Sequence, residues 1–315
     1  MNRAALSALL LPFLGAALPA QAPAPAAGQA PAAQTPAPNL TLGQRLEAER
    51  PGVDKLLEAL QPKEALAKAE ALLPAAAPVF DETDPASQYR SYFLFKDVAS
   101  AYYLASRAAT SGGLWEKGLE YVKKAQALVQ ENGVKAAAAF TKISEAHGAR
   151  AEGLRKTMQM NEPLIKELQA KAVKDAADLQ QLGFVEKDKE ALAEAEKWQK
   201  QYLLYADTAK KEGARYDAAV KVMEDRLTFE ATQIADYKAG EGDKAKWVDA
   251  IVSNPSYLTT SFPEKRVRFE FLCRLAVIDP TNPKVTTAMD VELGKAPAPK
   301  AKPAPKAKAK AKKGE

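Results

Sequence analysis

Between Ala136 and Ile234 the chain places apolar residues at alternating steps of three and four, and very few folds accept that pattern over so long a stretch. Its second half runs Ala195, Trp198, Tyr202, Tyr205, Ala209 and on through Tyr216, Val220 and Met223 to Ile234. Its first half runs Ala136, Phe140, Ile143, His147, Ala151, Leu154, Met158 and on to Leu182. A recurrence of about 3.5 to 3.6 residues marks one face of a helix. A stripe this narrow is stable in water only against another such stripe. The two halves meet at Leu182-Gly183-Phe184, so they predict a long antiparallel coiled-coil-like helical hairpin, closed within one chain or between two. Pro163 predicts a break or kink in the first arm. Gly213 weakens the second arm by about 1 kcal/mol relative to Ala, which does not break it.

The fold class expected is all-α. Of the 21 prolines only Pro163 lies between Ala86 and Asn254, and no alternating β-branched run is present. Thr41 and Gln44 have capping-box spacing, which predicts a short helix from Leu42 to Glu49 ended by Pro51 and Gly52. A second helix is expected over Val53 to Leu60, and a third from Pro62 to Leu73. Tyr89 to Thr110 and Leu114 to Gln130 read as a helix pair, the latter closed by Asn132-Gly133. After Gly240 to Asp243 come helices at Lys244 to Val252, Pro263 to Ile278 and Lys284 to Leu293, with a loop from Asn254 to Phe262.

The window Ala99 to Asn132 resembles a tetratricopeptide (TPR) repeat. Tyr102 stands at the large aromatic position of the first helix, Ala105-Ser106 at its Leu-Gly pair and Trp115 at the start of the second. Gly118 and Ala125 fall at the two small positions. Gly118, usually Ala, and Ala109, usually Tyr, depart from the pattern. Leu272 to Pro283, with its Asp279-Pro280-Thr281-Asn282-Pro283 exit, is similar to the end of a TPR second helix, and Glu64 to Pro74 is a weaker third segment. These segments are not in tandem at a 34-residue period. The resemblance implies TPR-like helix pairs and a protein-binding surface, with no catalysis.

Both ends differ from the body. Met1 to Ala20, with Arg3 before an apolar run, has the pattern of a secretory signal peptide, which implies a periplasmic or secreted protein. Gln21 to Pro38 is an uncharged Ala/Pro-rich linker. Lys295 to Glu315 carries eight Lys and one Glu while the whole chain is +5, so residues 1–294 sum to −2. The body is therefore not a basic domain. Lys300, Lys302, Lys306, Lys308, Lys310, Lys312 and Lys313 form a polycationic tail, a candidate contact for an anionic envelope polymer or another polyanion. The expected organisation is thus a signal peptide (1–20), a linker (21–38), an N-terminal TPR-like helical region (39–133), the long hairpin (134–239), a C-terminal helical region (240–294) and the tail (295–315).

Chemistry is sparse. The single histidine, His147, and the single cysteine, Cys273, are far apart, too few for a zinc set. Cys273 sits in an apolar run and reads as a buried small hydrophobe, with an intermolecular bridge as the other reading. Asp81 to Asp84 lacks the spaced ligands and glycine of a calcium loop. No nucleophile elbow, phosphate loop or dinucleotide fingerprint occurs. The carboxylates from Glu186 to Glu196 alternate with lysines as a solvated face. No catalytic residue, cofactor or metal is expected. The aromatic residues Trp198, Tyr202, Tyr205 and Tyr216 are the candidate contact for an unknown protein partner or a second copy of the chain. The functional expectation is a non-enzymatic exported interaction or scaffold module, with polyanion binding through the tail as the alternative.

Overall fold

The computed structural model describes residues 40–170, 176–237 and 242–297. The signal-peptide, linker and lysine-tail assignments lie outside these residues. Every regular element among the described residues is a helix, as expected for an all-α chain. None of these helices is long and apolar enough to cross a membrane. The chain divides into two compact units, whose described parts are residues 40–232 and 233–297.

The first unit opens with α1 (Leu42–Glu58) and α2 (Pro62–Glu70). The Thr41 hydroxyl accepts from the Gln44 N–H while the Gln44 side chain accepts from the Thr41 N–H, closing the capping box. The expected stop at Pro51-Gly52 does not occur, and Pro51 lies inside α1. Leu42, Leu46, Val53 and Leu57 are buried on one face running across the proline. Burial of that continuous stripe at roughly 1.5 to 3 kcal/mol per side chain outweighs the about 3 kcal/mol a helical proline costs. The helix ends instead at Leu60, in the left-handed region at φ 58. Its neighbours close a Schellman motif, Gln61 N–H to Leu56 C=O at 2.8 Å and Leu60 N–H to Leu57 C=O at 3.2 Å.

Helix α3 (Pro85–Ser111) is capped by Asp84 and ends at Gly112-Gly113, with Gly113 at φ 77 and the Leu114 N–H bonded to the Ala109 carbonyl. One face of α3 covers α1 and α2 through Val98, Ala101, Leu104, Ala105 and Ala108.

Helix α4 spans Trp115–Ala170 and α5 spans Ala176–Ala235. Two expectations fail here, and of the break or kink expected at Pro163 the break does not occur. Asn132-Gly133 does not end a helix, because the Asn132 amide donates to the Leu128 carbonyl one turn back and both residues are buried inside the assembled helices. Pro163 lies within α4 and does not break it. Leu182-Gly183-Phe184 lies inside α5 and is not the turn.

Contacts between the long helices fall in antiparallel order. Lys123 pairs with Glu224 at 2.7 Å, and Gln126 and Gln130 both donate to Asp217 at 2.8 Å. The Ser144 hydroxyl donates to the Gln199 carbonyl at 2.9 Å, and Arg155 pairs with Glu196. Helix α3 lies over both: Ser106 donates to the Gly118 carbonyl, Tyr92 packs on Phe140, and Tyr89, Lys96 and Tyr103 meet Tyr205, Glu212 and Tyr216 in turn.

The second unit contains α6 (Lys244–Val252), α7 (Pro255–Ser261), α8 (Lys265–Ile278) and α9 (Pro283–Glu292). The segment expected as a loop holds α7, started by Asn254, whose side chain accepts from the Tyr257 N–H, and by Pro255 at the first helical position. Trp247, Leu258, Phe262, Phe271, Leu272 and Leu275 are buried in this unit, and Cys273 is buried beside them. Arg268 joins α8 to Glu292 of α9 and donates to the Phe262 carbonyl.

Two glycines of the long helices predict opposite outcomes. A Cβ on Gly133 would lie 2.8 Å from the Ala209 backbone carbonyl, whereas one on Gly213 would make an ordinary 3.5 Å contact with Gln130. Gly133→Ala is expected to lower stability by about 1 to 3 kcal/mol through helix separation. Gly213→Ala is expected to raise it by up to about 1 kcal/mol through helix propensity. Urea unfolding of the two variants checks both signs.

Candidate functional site

Tyr89, Tyr92 and Phe93 of α3 and Tyr202 and Tyr205 of α5 come together around Phe140 of α4. Tyr205 lies edge-on to Tyr89 at 5.5 Å and Phe93 at 6.1 Å, and 5.8 Å from both Phe140 and Tyr202. Tyr202 continues the row to His147, with which it stacks at 5.8 Å, and to Trp198 at 6.0 Å. Such ring pairs add about 0.5 to 1.5 kcal/mol each beyond burial. Tyr216 stands apart, 1% exposed and edge-on to Tyr103, with the Arg215 guanidinium against both rings.

Of the four aromatic candidates, Tyr216 is therefore a core residue of the body. Tyr202 and Tyr205 are half-buried between α3, α4 and α5, and Trp198 is half-buried where the row ends. Burial and the neighbouring Tyr205 push Tyr89 up to about 12, and burial pushes Tyr216 up to about 12. Burial also raises Tyr92, with Glu212 adding to the shift. These phenols stay protonated at neutral pH and serve as packing groups. The lysine candidates of the tail lie outside the described residues.

The carboxylates of the Asp81–Asp84 turn bind their own backbone. Asp81 accepts from the Thr83 N–H and hydroxyl, and Asp84 from the Ala86 and Ser87 N–H groups. These hydrogen bonds hold both carboxyls below their usual range. Among the described residues no group of His, Cys, Asp or Glu is arranged to hold a metal ion.

The turn forms one wall of an open groove of about 680 Å³. Phe80, Pro85 and Gln88 line it from the side of α3, facing Ala139, Ile143 and Ala146 of α4. Lys135, Lys142, His147 and Arg150 add a basic edge, with Glu82 the one carboxylate in the lining. The Gln88 amide donates to the Glu82 carbonyl at 3.0 Å, and its buried Oε1 has no hydrogen-bond partner. A groove of this size and mixed lining accommodates a ligand or a helix edge. Sequence periodicity had placed Ile143 and His147 on one stripe, but the opposing wall comes from residues far away in sequence, and no local pattern announces it.

Comparison of the chain with protein-family models, with curated proteins and with solved structures gives no match.

One ionisable group outside the groove is strongly displaced. Asp97 of α3 lies against Gly43 in the first turn of α1, where a Cβ would come within 2.6 Å of its carboxylate. Burial raises its pKa to about 6, Glu47 adds to the rise, and Lys96 and the Gly43 N–H oppose it. Because the folded value exceeds the unfolded one, the folded state binds more protons between about pH 4 and 6. Stability contributed by this residue is therefore present at low pH and falls as pH rises through 6. Asp97→Asn is expected to remove that fall, on the order of 2 kcal/mol. Chemical unfolding from pH 4 to pH 7 of both chains measures it, and parallel pH profiles would contradict the assignment.

Proposed function

We propose that the protein is a non-enzymatic, exported interaction or scaffold module: a body of TPR-like helix pairs from which a coiled-coil-like two-helix arm extends to meet a protein partner. One observation carries this reading. Beyond Ala151, none of the described α4 side chains is buried, and before Ala195 none of the described α5 side chains is. The stripe residues Leu154, Met158 and Ile165 are only half-covered, while Met160 and Leu164 are 74% and 45% exposed.

From Ala151 to Ala170 the arm is about 30 Å long. Two helices alone cannot cover the apolar side chains they carry, and a patch left open on a soluble surface favours a macromolecular contact. The body behind it supplies rigidity: Ala105 and Ala125 are fully buried, and Ser106 donates to the Gly118 carbonyl at 2.7 Å, so α3 and α4 approach closely at the small positions.

Placing the photo-cross-linker benzoylphenylalanine at Met160, Leu164 or the control position Lys210 of the full chain, expressed in its own host, tests the reading. The first two positions are expected to give one discrete protein adduct that the control lacks. Adducts that are absent, or equal at all three positions, would contradict it.

A further inference from the structure

The face of α4 that borders the groove continues well past it. Ala139, Ile143, Ala146, Arg150, Gly153, Thr157, Met160 and Leu164 recur at steps of four and three without interruption. That is the spacing of a coiled-coil a/d seam, with side chains that are apolar at Ala139, Ile143, Ala146, Met160 and Leu164 and interrupted by Arg150, Gly153 and Thr157. It is distinct from the row that faces α5, which includes Phe140, Ser144, Gly148 and Ala151. Ala139 and Ile143 are half-buried, and from Ala146 onward the seam is exposed. A Cβ added to Gly153 would meet nothing within 4 Å. The seam is roughly 38 Å long, the length of a helix of about 25 residues.

We infer that this seam docks an acidic amphipathic helix of a partner protein, which would pack against α4 on the side away from α5. The inference rests on the interaction reading above and names the chemistry of its partner. Charge selects the occupant. Lys135, Lys142 and Lys156 stand at heptad spacing along one flank, and Arg150 lies in the seam itself. The opposite flank carries His147, Leu154 and Asn161, none of them a carboxylate. Glu131 and Glu152 pair with Lys135 at 3.9 Å and Lys156 at 2.8 Å, and with Glu145 they occupy the row behind the lysines. Glu82 faces the seam only across the groove.

A second copy of α4 laid antiparallel about Arg150 would bring Arg150 against its own equivalent and Lys142 close to Lys156 of the other copy, and like charges at a seam disfavour that pairing. The chain's own lysine tail is repelled for the same reason. A helix with Asp or Glu at its flanking positions meets the lysines with opposite charge and covers Met160, Leu164 and the small residues with its apolar stripe.

The test uses the full chain and two labelled 25-residue peptides with the same Leu/Ala heptad seam, one flanked by Glu and the other by Lys. Fluorescence anisotropy is expected to show binding of the Glu-flanked peptide that weakens as salt is raised, and no binding of its twin. The double variant Lys142→Glu/Arg150→Glu is expected to weaken binding at least tenfold, and Ala146→Arg to abolish it. These positions are exposed or half-exposed, and unchanged circular dichroism confirms that the variants fold. Equal binding of both peptides, binding of neither, or binding indifferent to these substitutions would overturn the inference. Self-association in light scattering that Ala146→Arg removes would assign the seam to a second copy and overturn it as well. A cross-linked adduct at Met160 that survives Lys142→Glu/Arg150→Glu would overturn this partner chemistry while leaving the broader interaction reading in place.

Discussion

A close helix approach in the first unit, at Gly133, precedes the aromatic row by two turns and brings α4 and α5 together beneath it. With no side chain there, α4 comes against the Ala209 carbonyl of α5, and Phe140 two turns further on reaches Tyr202 and Tyr205. Helix α3 then lays Tyr89, Tyr92 and Phe93 over the pair. Aromatic side chains bury large areas, and losing one from such a core costs about 3 to 5 kcal/mol. The Asn132-Gly133 pair thus serves as a contact point within a helix, although the same two residues in isolation favour a helix end.

From that contact the unit develops in two directions with different packing. Toward the start of α4 there are three helices in section and two more on the far side of α3, and side chains such as Trp115, Val122, Ala125 and Leu104 are fully or almost fully covered. Toward the end of α4 there are two helices in section, and apolar side chains remain half-open. Stability is concentrated in the body. The arm carries the exposed apolar side chains Met160 and Leu164, and the groove at its base is edged by Lys142 and Arg150.

Much of the helical content was legible in the sequence. The long stripe, the rarity of proline, the capping box at Thr41 and the helix start at Pro62 all correspond to observed helices. Local signals failed where tertiary contacts opposed them. Pro51-Gly52 and Asn132-Gly133 look like stops, yet buried apolar stripes cross both. Asn254-Pro255, expected within a loop, starts a helix of only seven residues, too short for an apolar period to show. The groove and the displaced Asp97 were not legible at all, since each needs residues from helices remote in sequence. The row from Ala139 to Leu164 was present in the sequence, but without knowing which face α5 covers, nothing marked it as the open one.

The central claim is that α4 and α5 lie antiparallel within a single chain. Electron–electron spin resonance on a Cys273→Ser background measures this directly. Labels at Arg155 and Glu196, diluted with unlabelled chain, should lie within about 25 Å, given helix axes about 8 to 10 Å apart. Labels at Arg155 and Glu224 should lie about 50 Å apart, the rise between Arg155 and Lys123, the partner of Glu224. Reversal of the two distances, or loss of the short one on dilution, would contradict the account.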